Sequence, residues 1–319
     1  MQALLAQLVH ELEKFDAKSE SVETVFIGGG TPSTVSPELY EPIFEYLKPY
    51  LGENIEITSE ANPNSATKEW LAGMRKLGVN RISFGVQSFN QEKLKILNRA
   101  HTPEQAKNAI LNASAEGFEN LSLDLIYATL GDTKALLRLD LETAFSLPIN
   151  HISAYALTIE EGTAFERKPH MSKERLPLTS WIFKTIEAKG FKQYEISNFG
   201  TYESAHNLGY WTYKDYMGVG CGAVGKLGLE RLYPPTAVEE YIKNPLNARV
   251  EALSEEDEKL ERIFLGFRSR VGVDKRILNA RELKKAELLA DEKKLFAQNG
   301  VFYNYDYLLA DEITLFISS

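Results

Sequence analysis

Four polar side chains stand where an apolar run gives way to a turn. They are Thr31, beyond Val25-Phe26-Ile27-Gly28-Gly29-Gly30; Glu60, closing Ile55-Glu56-Ile57-Thr58-Ser59; Gln87, closing Arg81-Ile82-Ser83-Phe84-Gly85-Val86; and Asp124, inside the run 121–127. A hydroxyl, two carboxylates and an amide can donate to and accept from one polar ligand, provided that the fold brings them together. The three glycines add a second kind of chemistry. With no Cβ in the way, their backbone N–H groups can approach a ligand closely, while Pro32 fixes φ for the exit. The same run also suits a tight turn that binds nothing, and short motifs of this kind match by chance often.

The elements around these residues recur in one order. Leu4, Leu5, Leu8, Leu12 and Phe15 repeat at helical spacing, so residues 2–15 predict an amphipathic helix. A polar linker, 19–23, leads to the Val25 strand, after which Ser36 and Pro37 offer an N-cap and a first-turn proline. A strand through Ile57 ends at Ala61-Asn62-Pro63, and a helix through Trp70, Leu71 and Met74 closes at Gly78. Strands at 81–87, 121–127 and 151–157 follow, the first two succeeded by helices at 90–98 and near 134–145. Alternation of this kind argues for right-handed crossovers and a parallel sheet. In a closed or partly closed barrel the C-terminal strand ends share one mouth, whereas in a doubly wound sheet only the switch-point strands meet. Thr31, Glu60, Gln87 and Asp124 lie at or near the ends of four consecutive strands, and their convergence favours the barrel.

The chain has 319 residues, 44% of them hydrophobic, which suits one large α/β domain with a smaller appendage. A net charge of -9 offers nothing to a phosphate backbone, and no stretch approaches the roughly 18 apolar residues of a membrane span. Neither nucleic acid nor a membrane span is therefore expected. The single cysteine, Cys221, rules out an internal disulfide and suits a reducing cytoplasm, and the first residues lack the apolar core of a signal peptide.

Five blocks, taken together and in this order, carry a resemblance: Gly28-Gly29-Gly30-Thr31-Pro32, Glu60-Ala61-Asn62-Pro63, 81–89 from Arg81 to Phe89, Asn98-Arg99-Ala100-His101 and Asp124-Leu125-Ile126-Tyr127. They resemble the oxygen-independent coproporphyrinogen III oxidase family of radical SAM proteins, and the resemblance runs from about residue 1 to the C-terminus. It implies an α/β fold in which residues 1–232 form a partial (β/α)6-type radical SAM barrel missing its first strand. Residues 233–319 would then form a small C-terminal α+β domain, mainly helical, with acidic helices expected around 254–267 and 280–298. It also implies S-adenosylmethionine as a cofactor. Gly28, Gly29 and Thr31 would receive the methionine amino end, and Glu60 that ammonium or the ribose. Gln87 and Asp124 would take ribose hydroxyls, Arg99 the cofactor's carboxylate, and Ile126 and Ala156 the adenine. A guanidinium suits a carboxylate bidentately, although an arginine at this place also suits a solvated helix face.

Within that family Thr158-Ile159-Glu160-Glu161-Gly162-Thr163, Tyr194-Glu195-Ile196-Ser197-Asn198-Phe199 and His206-Asn207-Leu208-Gly209-Tyr210-Trp211 look most like the HemW-like haem chaperones. This implies haem and recipient apoproteins as partners, with His206 as an axial ligand and Tyr210 and Trp211 as flat surface for a porphyrin. His206 and Asn207 also suit a structural role, bonding backbone where barrel and C-terminal domain meet. The alternative activity is oxidative decarboxylation of coproporphyrinogen III. It is the less favoured because true oxidases carry a longer N-terminal extension.

Two departures from the family stand out. Its members carry a Cys-x3-Cys-x2-Cys loop whose thiolates hold a [4Fe-4S] cluster and leave the fourth iron for S-adenosylmethionine, and this chain has no such loop. Met1 matches the start of the family's first barrel helix, so the cluster loop and first strand are expected ahead of it. An open edge on the Val25 strand is expected to favour homo-oligomers. The second departure is Ala128-Thr129-Leu130-Gly131-Asp132-Thr133, where the family usually has Gly-Leu-Pro-Gly-Gln-Thr. Reconstitution of this polypeptide with iron and sulfide is expected to leave it nearly free of both, because one thiolate cannot anchor the cluster. A stoichiometric, stable cluster measured by iron and sulfide content would overturn that expectation.

Overall fold

The computed structural model describes residues 1–159, 165–173 and 176–319; Glu160 to Thr163 of the segment compared above lie outside the described residues. Along the chain come α1 (Gln2–Lys14), β1 (Val22–Ile27), α2 (Glu41–Leu47), β2 (Leu51–Ala61), α3 (Lys68–Lys76), β3 (Arg81–Gln87), α4 (Gln91–Ile96), α5 (Pro103–Ala115) and β4 (Asn120–Tyr127). Then follow α6 (Lys134–Phe145), β5 (His151–Ala156), α7 (Leu176–Glu187), β6 (Lys192–Gln193), β7 (Asn198–Gly200), α8 (Ala205–Trp211), β8 (Gly225–Leu227), β9 (Glu230–Tyr233), α9 (Val238–Lys243) and β10 (Arg249–Ala252). The last elements are α10 (Glu255–Phe267), β11 (Val273–Asp274), α11 (Ala280–Asp291), β12 (Leu295–Gln298), β13 (Val301–Asn304) and α12 (Ala310–Ser318).

The main sheet has the order β1-β2-β3-β4-β5-β7-β6. Strands β2 to β5 pair in parallel, as the alternation of strand and helix requires, whereas β7 runs antiparallel to both β5 and β6. The reversal follows from length. Only residues 194–197 separate β6 from β7, and a parallel neighbour needs a crossover of a dozen residues or more.

Along β2 to β5 the side chains alternate by type. Ile57, Ile82, Phe84, Leu121, Leu123 and Ile152 are all at most 3% exposed, and they share the face that meets the helices, with α5 against β3 and β4 and α6 against β4. The helices answer with Leu71, Met74, Ile110, Leu137, Ala144 and Ile186, all buried. Burying side chains of this size is worth about 1.5–3 kcal/mol each, so this face supplies the driving force for the unit. Helix starts follow local chemistry: Thr67, Asn90, Thr102 and Thr133 each accept a hydrogen bond from the backbone of the first turn. Ser36 does not. Its hydroxyl bonds the Glu38 carboxylate instead, so Pro37 opens only a short 3-10 turn, 37–39, and α2 starts at Glu41.

Contacts divide the chain into two units, 24–39 with 56–203, and 1–23 with 40–55 and 204–319. The boundary read at 232/233 falls inside β9, whose Tyr233 pairs with Arg249 of β10. The opening helix also belongs to the second unit. Gln7 of α1 donates to the Gly218 carbonyl at 3.0 Å and accepts from Gly220 N–H at 2.8 Å and from the Tyr241 hydroxyl at 2.7 Å. Contacts more than two hundred residues apart in sequence leave no local trace. Near the C-terminus Ile263, Phe267, Val273, Phe302, Ile313 and Ile317 form a core under the sheet β11-β13-β12. The acidic helix expected over 280–298 stops at Asp291: Lys293 takes φ +58°, Leu295 is buried, and Leu295–Gln298 pairs with β13 through the turn at Asn299 and Gly300.

A buried ionic clasp ties the turns after β3 and β4. Lys93 Nζ lies 2.8 Å from an Asp132 oxygen and 3.9 Å from Asp140, with all three side chains at most 3% exposed. Asp140 accepts from the Ser88 hydroxyl and from Phe89 N–H, and Asp132 accepts from Thr129 N–H at 2.9 Å. The second turn is pinned by Met171 and Lys173, through Leu130 N–H to the Met171 carbonyl and Lys173 N–H to the Ala128 carbonyl, both 2.7 Å. Within it Ala128 has φ +61° although it is an alanine. The family's glycine would hold that conformation without strain. Ala128→Gly is expected to raise stability by about 0.5–1 kcal/mol, because relief of a left-handed alanine, about 1–2 kcal/mol, exceeds the loss of one buried methyl, about 0.8 kcal/mol. The urea midpoint reports this, and a midpoint that falls would show that the turn carries no such strain.

Candidate functional site

The other face of the same strands is mostly polar, with Ile126 the apolar exception on β4. Glu56, Thr58 and Glu60 of β2, Arg81 and Ser83 of β3, Ser122 and Asp124 of β4, and His151, Ser153 and Tyr155 of β5 all fall on it. The register aligns Thr58 with Arg81, Glu60 with Ser83, Ser83 with Ser122, Ser122 with His151, and Asp124 with Ser153. Parallel sheets are ordinarily apolar on both faces. A polar face cannot be closed by an apolar helix without stranding its donors and acceptors; here Thr58, Ser122 and His151 are buried, and Tyr194 and Tyr202 bring hydroxyls to His151 and Glu56.

At the ends of β1 and β2 the glycine cradle is built by packing. Gly28 has no room for a side chain: a Cβ there would lie 2.6 Å from the Phe26 ring and 3.3 Å from the Glu60 carboxyl carbon. Gly29 and Gly30 have φ +74° and +27° and open space where a side chain would stand. Beyond them Thr31 accepts from the Asn62 amide at 3.4 Å, Ser33 accepts from Asn62 N–H at 2.9 Å, and the Trp70 indole donates to the Val35 carbonyl at 3.0 Å. The loop is thus fastened to the residues that follow β2, and Gly29 N–H reaches Glu60.

At β3 a bulge between Phe84 and Gln87, with φ +67° at Gln87, re-aims the end of the strand. Gly85 gives space for it, since a Cβ there would lie 3.1 Å from the Gln87 amide nitrogen and 3.4 Å from the Asn62 oxygen. Arg99 lies beyond the end of α4, not on it. Asn98 has φ +54°, Arg99 N–H donates to the Leu94 carbonyl, and the guanidinium lies within the field of Asp124. Its neighbour His101 donates to the Val86 carbonyl at 2.9 Å, and burial lowers its pKa.

The electrostatics are those of a desolvated site. Burial, with Asp124 adding repulsion, pushes Glu60 up to about 6, against the Gly29 N–H bond. Asp124 is also raised to about 6 by burial, although Ser153, Arg81, Arg99 and Ser83 all favour its ionised form. Burial outweighs two guanidiniums and two hydroxyls. Burial likewise raises Glu195, which has no exposed surface, to about 7 despite hydrogen bonds from Ser197 and Asn198. Deeper on the same face, His151 bonds Ser122 at 2.7 Å and Tyr194 at 2.8 Å and is kept neutral by burial. Arg81, 2% exposed, bonds Thr58 at 3.4 Å, and among the described residues its Nε has no partner.

Of the residues proposed from sequence, Glu60, Gln87, Asp124 and Arg99 gather at the strand ends beside Gly28, Gly29 and Thr31. Ile126 shares the face of Asp124. Ala156 pairs with Tyr127, one pleat out of phase with Ile126 and Tyr155, so the alternation puts its side chain toward the helices and only its backbone at the rim. Arg81 and Ser83 carry a sequence signal in the period of two of Arg81-Ile82-Ser83, as do Ser153 and Tyr155 in that of β5, whereas Glu195 lies in the turn 194–197 and has none. In the other unit, His206 lies on α8, its Nε2 3.1 Å from the Tyr210 hydroxyl, and the two rings cross at 87° with centroids 4.9 Å apart. Tyr216 packs edge-on against Tyr210 at 4.7 Å. Among the described residues no group of three His, Cys, Asp or Glu side chains could hold a metal ion, and Cys221 donates to the Thr236 carbonyl.

A sequence model of the Radical SAM superfamily matches residues 3–142. The chain is 35% identical over 285 residues to a heme chaperone HemW of Lactococcus lactis, spanning 85% of this chain and 75% of that protein. It is 32% identical over 323 residues to a heme chaperone HemW of Bacillus subtilis, spanning 95% and 84%. Coproporphyrinogen III oxidase (HemN) from Escherichia coli, a radical SAM enzyme, superposes with a TM-score of 0.83 at 20% identity, covering 100% of this chain and 82% of that one. The last likeness concerns the fold alone.

The raised carboxylates give a pH dependence with a definite sign. Glu60, Asp124 and Glu195 hold protons in the folded state up to pH 6 or 7, above their ordinary range. The folded chain therefore binds more protons than the unfolded one across that window, and these groups lower stability as pH rises through it. Glu195→Gln is expected to remove part of that loss, raising stability at pH 8 relative to pH 5 by up to about 3 kcal/mol. Urea unfolding at the two pH values measures it, and an equal effect at both would show that Glu195 does not titrate there.

Proposed function

The chain belongs to the HemW family of radical SAM proteins, and on that premise we propose that it is a haem-binding chaperone that passes haem to apoproteins. In the same reading it holds S-adenosylmethionine against the polar face of its sheet and works in the cytoplasm, where Cys221 stays reduced. No described helix is long and apolar enough to cross a membrane. The observation that carries the haem reading is the partly exposed imidazole of His206 packed in an aromatic cluster with Tyr210 and Tyr216. An imidazole beside flat apolar rings suits an iron porphyrin.

The cofactor reading rests on fit. Gly28 has no space for a Cβ, the two following glycines are open, and two carboxylates with pKa near 6 await a partner that favours their ionised form. S-adenosylmethionine carries an ammonium, a sulfonium and two ribose hydroxyls, which supply that. Glu60 and the cradle would take the ammonium, Asp124 and Gln87 the ribose, Arg99 the carboxylate, and Ile126 with the Ala156 backbone the adenine. The family's [4Fe-4S] cluster does not fit this chain, which has one cysteine, and no radical step is assigned to it. Porphyrinogen decarboxylation, which requires such a step, is not favoured by any residue seen here.

Two substitutions separate the halves of the reading. Asp124→Asn is expected to weaken S-adenosylmethionine at least about ten-fold in equilibrium dialysis at pH 7.5, the worth of a charged hydrogen bond, while haem binding is unchanged. His206→Ala is expected to weaken haem binding and shift the Soret band while circular dichroism stays the same. Unaltered haem spectra and affinity in that variant would place the iron ligand elsewhere.

A further inference from the structure

Tyr210 sits one helical turn after His206, so the two side chains face each other on α8. The hydroxyl is 3.1 Å from Nε2, the ring nitrogen farther from the backbone and the one better placed to meet a bulky planar ligand. The contact is built from both sides. Tyr210 is backed by Tyr216, rings 4.7 Å apart and crossed at 80°. Tyr216 is itself fixed by backbone bonds to Lys226 in both directions, at 2.9 and 2.8 Å. Its hydroxyl meets Arg231, whose guanidinium holds Glu261 at 2.7 and 2.8 Å. Burial raises the pKa of Tyr210, so its proton stays on. Yet 41% of the residue's surface is exposed, so the ring can swing away into water without opening a core.

We propose that the Tyr210 hydroxyl is a built-in competitor for the His206 nitrogen, displaced when haem iron takes that nitrogen and returning when haem leaves. The inference rests on the reading of His206 as the haem ligand and adds what sets its affinity. An imidazole nitrogen has one lone pair. If the hydroxyl donates to Nε2, that pair is occupied; if Nε2–H donates to the hydroxyl oxygen, the nitrogen has no pair to offer. In either tautomer iron must break the bond first. A protein that delivers haem has to release it, and a competitor held 3.1 Å away by Tyr216 lowers affinity while leaving the ligand in place.

The test uses the full chain and haemin. Tyr210→Phe keeps the ring and its packing on Tyr216 and removes the hydroxyl. It is expected to bind haemin about five-fold more tightly, as the loss of one competing hydrogen bond predicts, with the Soret maximum unchanged and slower transfer of haem to apomyoglobin. A residue that only supported the helix would leave binding unchanged or weaken it, so unchanged or weaker binding in Tyr210→Phe overturns the proposal. His206→Ala is the control for the underlying reading. If it abolishes the Soret shift while Tyr210→Phe binds no tighter, the competitor is wrong and the ligand right. If His206→Ala binds haemin as the parent does, both fail. Circular dichroism and thermal midpoints of the two variants verify that the fold is intact.

Discussion

The structure depends on one constraint, the alternation of side chains along β2 to β5. With Ser59 and Ile126 as exceptions, every second residue is apolar and faces the helices, and every other one is polar and faces away. A one-residue slip in any of these strands would put Arg81 or His151 against Leu71 or Ile110 and strand Ile82 or Ile152 among charges, so the register is held from both faces at once. The apolar face supplies the stability. The polar face costs some of it, and that cost is visible in carboxylates held far above their ordinary pKa and in a buried guanidinium with an unpartnered nitrogen.

Such a face is unstable as a core and useful as a binding surface. Around Asp124, Glu60 repels and Arg81 and Arg99 attract, yet the carboxyl stays near 6 because water has been removed and nothing of equal strength replaces it. A ligand bearing positive charge and hydroxyls restores what was lost on folding. Its binding would release protons below about pH 7 and stabilise the ionised face. The strand ends give that ligand its shape: Gly28 for close approach, the Gln87 bulge for aim, and the Asn62 loop to tie cradle and sheet together.

Much of this was legible in the sequence. Polar residues at strand ends and the helix over 134–145 follow from local pattern and appear as read, whereas the one cap read from sequence, Ser36, is not formed and the caps at Thr67, Asn90, Thr102 and Thr133 come from the structure. What escaped depends on partners far along the chain. The interior positions of the polar face, such as Ser122 and Ser153, gain meaning only once the strands are in register, and Glu195 only once the turn 194–197 is placed. The place of α1 depends on Gln7 reaching Gly218 and Tyr241. The end of α11 was misread because 292–298 stays rich in good helix formers, and burial of Leu295 in a hairpin overrides that propensity.

The turn 128–133 departs from its family at 128, 129, 130 and 132, and the changes at 128 and 132 have different physical consequences. Alanine for glycine at 128 stores backbone strain with no visible return. Aspartate for glutamine at 132 places a second carboxylate beside Lys93 and Asp140, inside a site with almost no exposed surface. A lone extra charge there would be costly, but Asp132 has a 2.8 Å ion pair and the Thr129 N–H, so the lysine is shared between two carboxylates and the turn is tied to α4 by charge. The clasp joins the residues that directly follow Gln87 and Tyr127, the ends of two strands that carry the polar face. Strain at Ala128 is therefore tolerated because the turn is held from outside, by Lys93 on one side and by Met171 and Lys173 on the other, and the positions of Gln87, Asp124 and Ile126 do not rest on the turn's own preference.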